Sequence, residues 1–332
     1  MNYRMIDDTQ LQMQQGIFGG VTGYQTYESG ELESVNLNEK NMIVTHAGEI
    51  VPAYTETPRR KKKPSVEFYK NGMIKAVMLD EQSELETPIG TLPAEYITFF
   101  PTGEIHRIFI TDGQISGFWS EEEEKQFNIP LSFEFDFASF TAYLNGICFY
   151  KSGCIKSITL YPGEKVNLNT TAGEIETGIG FSLYEDGTLE SVEPFFPIVI
   201  NTPIGQFTAF DSESVGIHAD SNSVRFDEKK RLVGFSTVEN KVLVQTKQEE
   251  FLILKPEEKM HPLQDDEMIK KPMKIFFDLN EDKVTITSDE ERVFPMKETG
   301  FTIQKIDVGR MGCSPSDCAS CSLCSSKNTA MK

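Results

Sequence analysis

The sequence predicts an all-β protein: repeated antiparallel hairpins that run on as an extended meander sheet. Three observations predict it. A motif of an aromatic, two residues, Gly, one residue and then Ile or Leu recurs as "YESGEL" at Tyr27, "YKNGMI" at Tyr69, "FPTGEI" at Phe100, "YKSGCI" at Tyr150 and "YEDGTL" at Tyr184. A second motif alternates with it, as "THAGEI" at Thr45, "TPIGTL" at Thr87, "TTAGEI" at Thr170 and "TPIGQF" at Thr202. Between the motifs apolar residues alternate with polar ones, and no stretch sustains the 3.6-residue period of a helix.

In the first motif Asn71-Gly72 and Asp186-Gly187 are hairpin signals, because Asn, Asp and Gly accept positive φ at low cost. A two-residue type I′ loop at Asn71-Gly72 predicts that Tyr69 faces Ile74 and that Val66 faces Val77. Counting by twos then puts Tyr69, Ile74 and Ala76 on one face and Val66, Phe68, Val77 and Leu79 on the other. In the copy at Tyr184 the same count puts Tyr184, Leu189 and Ser191 opposite Phe181, Leu183 and Val192. The second motif, with Gly in its fourth place and, in two of its four copies, Pro in its second, predicts a type I turn closed by a Gly bulge.

The interval from the first turn's Gly to the second's is 18 residues for Gly30 to Gly48, Gly72 to Gly90 and Gly187 to Gly205, and 20 for Gly153 to Gly173. Each interval suits one or two strands and a connection. A sixth copy, "VRFDEKKRLVGF", keeps Val224, Phe226, Leu232 and Phe235 in phase but has Lys230 where Gly is expected. A seventh, degenerate copy spans Lys274 to Ile286. Helical turns are expected at "SEEEEK" and at the start of the chain. The alternative architecture is a propeller of six or seven blades. Against equal blades stands the spacing, 31 residues from Gly72 to Gly103 but 50 from Gly103 to Gly153.

The "Y-x-x-G-x-I" hairpins resemble MORN-type repeat proteins, over about residues 20–240. The usual MORN Trp and paired Gly positions are missing here. The resemblance implies an extended sheet used for binding rather than catalysis. The expected organisation is an N-terminal extension (1–20), a hairpin-repeat domain (21–254), a linker (255–272), a small C-terminal β unit (273–310) and a Cys-rich tail (311–332).

The composition is that of a folded chain: 39% hydrophobic with 24 Phe among 332 residues. The net charge of −19 disfavours polyanions, so nucleic acid and anionic lipid are poor partners and a protein is the expected one. The opening residues lack a charged-then-apolar leader pattern, and runs such as "FFPIVI" are too short to span a bilayer. The expected location is the cytoplasm, where thiols stay reduced and favour metal or redox roles.

Of the 6 cysteines, Cys313, Cys318, Cys321 and Cys324 form a C-x4-C-x2-C-x2-C run. Four closely spaced thiolates suit an iron–sulfur cluster or zinc. The first three have the spacing of plant-type ferredoxins, but the fourth follows at once, so only the chemistry carries over. The alternatives are an inert Ser-rich tail and disulfides. Cys148 and Cys154 read as packing residues.

A second candidate is "AFDSESVGIHADSNSVRF". If "IHADSNS" is extended, His218, Asp220 and Asn222 project from one face and Asp211 joins them, a set able to hold a divalent ion or a polar ligand. The competing reading is a loop whose Asp and Asn side chains close turns on their own backbone. The basic run "PRRKKKP" reads as a solvated loop, as a phosphate clamp or as a partner of the chain's own acidic groups; "SEEEEK" reads as its acidic counterpart, a solvated loop. Familiar catalytic motifs are absent. The leading expectation is a noncatalytic β-repeat binding protein with a four-cysteine metal site. The alternatives are a metal-dependent hydrolase around His218 and Asp220, and a structural scaffold with an inert tail.

Overall fold

The computed structural model describes residues 2–13, 15–60, 62–116, 119–214, 218–247, 250–261 and 264–306, with no account of the side chains of 261 and 264–267. The four tail cysteines lie outside the described residues. The chain is an all-β meander, and among the described residues its main sheet has 16 strands. It starts at the edge strand Val21–Thr26, crosses strand by antiparallel strand and ends at Glu291–Pro295. This one open sheet, rather than separate blades, is the architecture. Among the described residues no helix is long and apolar enough to cross a membrane.

Two transverse rows explain why the repeats align. Val35, Val66, Val77, Ile97, Ile108, Ile147, Ile158, Phe181, Val192 and Val224 are direct neighbours across consecutive strands, each at 0% exposure. On the opposite face run Gln25, Ser34, Glu67, Ala76, Thr98, Arg107, Cys148, Ser157, Ser182, Ser191, Arg225, Gly234, Phe276, Thr285 and Val293. Sheet register is pinned by such alternation, since a one-residue slip would turn every Val and Ile to water.

The apolar face is covered by shorter hairpins. Ile43–Thr45 with Gly48–Ile50, Val166–Thr170 with Gly173–Thr177, and Ile198–Thr202 with Gly205–Ala209 are the second motif's turns. Their buried side chains join those of the main sheet in one core. Phe207 meets Phe235 at 5.0 Å between ring centroids, and Phe181 takes Phe135, Phe137 and Phe140 against its ring at 5.7, 5.5 and 6.0 Å. The three Phe181 pairs are near-perpendicular, which suits the ring quadrupoles.

The turns correct the predicted register near the loop. Gly72 has φ +83°, its N–H donates to the Tyr69 carbonyl at 2.8 Å, and Tyr69 N–H donates to Met73. This is a three-residue loop with Gly in the left-handed region. Phe68, not Tyr69, therefore faces Ile74. A β-bulge at Lys75 then adds a residue back, which restores Val66 opposite Val77 as predicted. The copy at Tyr184 does the same, with Leu183 facing Leu189. In the sixth copy Lys230 adopts φ +60° and keeps the turn, its N–H donating to the Asp227 carbonyl.

Other expectations are also revised. The chain's start forms the strands Arg4–Met5, Leu11–Met13 and Gly16–Phe18 rather than a helical turn. "SEEEEK" does form a helix, Glu121–Lys125, closed by a Ser120–Glu123 capping box. Residues 255–272, read as a linker, carry the hairpin Glu257–His261 with Gln264–Lys271. Met273–Asp278 pairs with Leu232–Thr237, so the C-terminal β unit extends the main sheet. Cys148 is buried as expected, but Cys154 is exposed.

Candidate functional site

The residue four places after each first-motif Gly stands in the polar row. Those residues are Ser34, Ala76, Arg107, Ser157 and Ser191, and Gly234 in the copy where Lys230 replaces Gly. Arg107 is the one long side chain among small ones, and the functional site is built around it.

Arg107 is buried and reaches residues 218–223, a strap held on the polar face; Val215, Gly216 and Ile217 before it lie outside the described residues. One Nη of Arg107 donates to the Asp220 carboxylate, and the other lies 3.4 Å from His218 Nδ1. The second Asp220 oxygen accepts from the Ser157 hydroxyl. Burial pushes the Asp220 carboxyl up, but Arg107 and Ser157 outweigh it and hold the group below the ordinary carboxylate range. His218 is lowered, by burial and then by the Arg107 charge, so it is held neutral.

Other side chains bind the strap down. Ala219 N–H donates to Thr159 Oγ1 at 3.2 Å. Asn222 is buried and donates to Ser191 Oγ at 2.9 Å and to the Ala219 carbonyl at 3.0 Å. Glu193, 2% exposed, accepts Ser223 N–H and Ser223 Oγ–H, each at 2.8 Å, and burial pushes it up to about 7.

Of the four residues expected here, His218 and Asp220 come together on Arg107. Asn222 is turned into the protein. Asp211 accepts from Glu213 N–H in a local turn. Among the described residues no group of three His, Cys, Asp or Glu is placed to hold a metal ion.

Beside Arg107 the polar face carries aromatic rings. Tyr96 and Phe109 lie 5.5 Å apart, and Phe109 and His218 6.0 Å apart. Lys63 Nζ sits 4.1 Å from the centre of the Tyr96 ring, and the Arg107 guanidinium 5.9 Å from that of Phe109. The Tyr96 hydroxyl contacts Glu67 at 3.5 Å, and Lys75 pairs with Glu67 at 3.0 Å. The result is a strip of rings edged by cations, with His218 exposed at one end.

The basic run ties the chain's own acids into the fold. Arg59 pairs with Glu95 and, at 2.7 Å, with Glu124; Arg60 pairs with Glu95 at 3.2 Å; Lys63 pairs with Asp112 at 2.6 Å. Glu124, read as solvated, is buried and also accepts from Gly113 N–H at 2.8 Å and Trp119 Nε1 at 2.7 Å. Gly113 is required there, since a Cβ would stand 1.9 Å from Glu124 Oε2.

No protein-family model matches the chain, and no curated protein or solved structure matches it either.

Proposed function

We propose that this is a noncatalytic β-repeat protein that binds a protein partner on the polar face of its sheet, through the strip formed by Tyr96, Phe109 and His218 with Lys63 and Arg107. The observation that carries the reading is the strip itself: neighbouring rings, flanked by cations, on the polar face. Aromatic and Arg side chains are the usual anchors of such surfaces. Against a hydrolase stands the engagement of Asp220 by Arg107 and Ser157: among the described residues no other carboxylate joins His218 to take a metal.

The test is co-purification of the full chain with its partner, compared with the double variant Lys75→Glu, His218→Ala. Neither side chain belongs to the core, so circular dichroism should be unchanged while the partner is lost. Retention of the partner by the folded variant contradicts the reading.

The second part of the proposal is that Cys313, Cys318, Cys321 and Cys324 hold an iron–sulfur cluster or zinc, supported by their spacing alone. Metal analysis and optical spectra of the anaerobically handled full chain, beside a chain ending before Met311, test it. Stoichiometric metal lost on truncation is expected. Equal, substoichiometric metal in both contradicts it.

A further inference from the structure

Outside the main sheet, Phe251–Leu254 is the edge strand of a small sheet, in which it pairs with Asn240–Gln245 and that strand with Gly300–Lys305. Among the described residues no strand pairs with its far side. Thr246 N–H donates to the Glu250 carbonyl at 3.1 Å. By the alternation of an antiparallel ladder, Leu252 and Leu254 therefore bond back to Asn240–Gln245, and Phe251 and Ile253 turn their N–H and C=O groups to the open side. The side chains alternate too. Leu254 is buried opposite Val242, whereas Phe251 is 72% exposed and Ile253 64%.

An open edge of this kind is a template for another strand. The main sheet guards its own edges: Val21–Thr26 breaks register twice, and Glu291–Pro295 carries Glu291, Arg292 and Pro295. Phe251–Leu254 has neither a bulge, a charge nor a proline. Charges stand only at its ends, Glu250 before it and Lys255 after it. Both are exposed, and neither has an ion-pair partner among the described residues.

We propose that this edge pairs with the same edge of a second copy of the chain, antiparallel about a two-fold axis at Leu252. The occupant follows from the strand's complementarity to itself. Only groups turned to the open side can bond across it, and the axis at Leu252 sets Phe251 of each copy opposite Ile253 of the other. Each such pair exchanges both its N–H···O bonds. It also covers an exposed ring with an exposed β-branched side chain, a cross-strand pairing worth about 0.2–1 kcal/mol. Antiparallel pairing brings the Glu250 end of each strand to the Lys255 end of the other, whereas parallel pairing would bring like charges together. The strands are short and a net charge of −19 on each copy opposes contact, so the dimer is a weak one that forms with concentration. None of these residues belongs to the strip of Tyr96, Phe109 and His218, and the inference does not rest on partner binding there.

Sedimentation equilibrium of the full chain tests the proposal, under reducing conditions so that the tail thiols cannot join copies. A monomer–dimer equilibrium is expected, and a chain that stays monomeric up to about 0.5 mM overturns it. Phe251 and Ile253 are exposed, so Phe251→Lys and Ile253→Lys leave the fold intact, as circular dichroism should show. In a two-fold contact each substitution acts twice, and each should weaken the dimer by about tenfold or more. The double variant Phe251→Glu, Ile253→Lys sets opposite charges face to face in this register. It should dimerise more tightly than the double variant Phe251→Lys, Ile253→Lys, in which like charges meet. Equal dimerisation by the two double variants, or undiminished dimerisation by the single ones, overturns the proposal. A photocrosslinking residue in place of Phe251 should give an adduct of dimer mass, and one in place of Phe196, 52% exposed, should not. Equal yields from both positions overturn the self-pairing. So does an adduct within a single chain, which would assign the edge to the chain's own tail.

Discussion

The hydroxyl of Tyr69 donates to the carbonyl oxygen of Phe99, 2.8 Å away, in the next hairpin. Tyr27 does the same to Phe68, Tyr150 to Leu183 and Tyr184 to Phe226, each at 2.8 Å. The repeated tyrosine is thus a tether from one hairpin to the next, placed just where the following turn begins. Removing one such bond without leaving a buried charge costs about 1 kcal/mol. Tyr69→Phe and Tyr184→Phe should each lower stability by that amount in urea unfolding, with an unchanged m-value. Phe100 occupies the tyrosine position without a hydroxyl, so Phe100→Tyr should restore the missing tether and raise stability by up to about 1 kcal/mol.

Lys230 holds φ +60° in a turn whose other copies use Gly. A side chain in the left-handed region costs about 1–2 kcal/mol. Its pairing with Asp136 at 3.5 Å is exposed and worth little. Lys230→Gly should therefore stabilise the protein by about 1 kcal/mol, read as a raised midpoint in chemical denaturation, and Lys230→Val should destabilise it.

Glu193 makes stability fall with rising pH. Its folded pKa is raised, from the ordinary 4.5 to about 7, so the folded chain holds this proton more tightly than the unfolded chain. The contribution is full below about 4.5 and is lost as pH rises through about 7, amounting to up to about 3 kcal/mol. Thermal unfolding should give a lower Tm at pH 8 than at pH 6, and Glu193→Gln should flatten that part of the profile.

Gly113 and Glu124 share one space. Gly113→Ala should displace the carboxylate from Arg59, Trp119 Nε1 and the Gly113 N–H. Breaking a buried pair by removing one partner costs about 3–5 kcal/mol, and Glu124→Ala should fall in the same range. Indole fluorescence of Trp119, the chain's 1 Trp, reports the loss directly.

Much of this architecture was legible in the residues, and the losses have physical causes. Turn glycines and β-branched periodicity marked the hairpins, and Val66 opposite Val77 followed from counting. The count failed at Tyr69 and Ile74 because a left-handed Gly adds one residue to the loop and the bulge at Lys75 compensates for it, and neither leaves a composition signal. His218 and Asp220 were visible as a polar interruption. Their partner Arg107 lies 111 and 113 residues away, so only the fold joins them. A signal for Arg107 did exist, as the one long side chain four places after a turn glycine. Tyr96 and Phe109 had none, since alternating aromatics read equally well as core. The acids paired with Arg59, Arg60 and Lys63 were hidden for the same reason as Arg107: Glu95, Asp112 and Glu124 are distant in sequence.

Which face of the sheet meets the partner is decided most directly by photocrosslinking in the full chain. A crosslinking residue at Glu67, beside Tyr96 on the polar face, should give one discrete adduct. The same residue at Val44 or Val199, 76% and 57% exposed on the covering hairpins, should give none. Adducts from Val44 or Val199 with none from Glu67 would contradict binding through the strip.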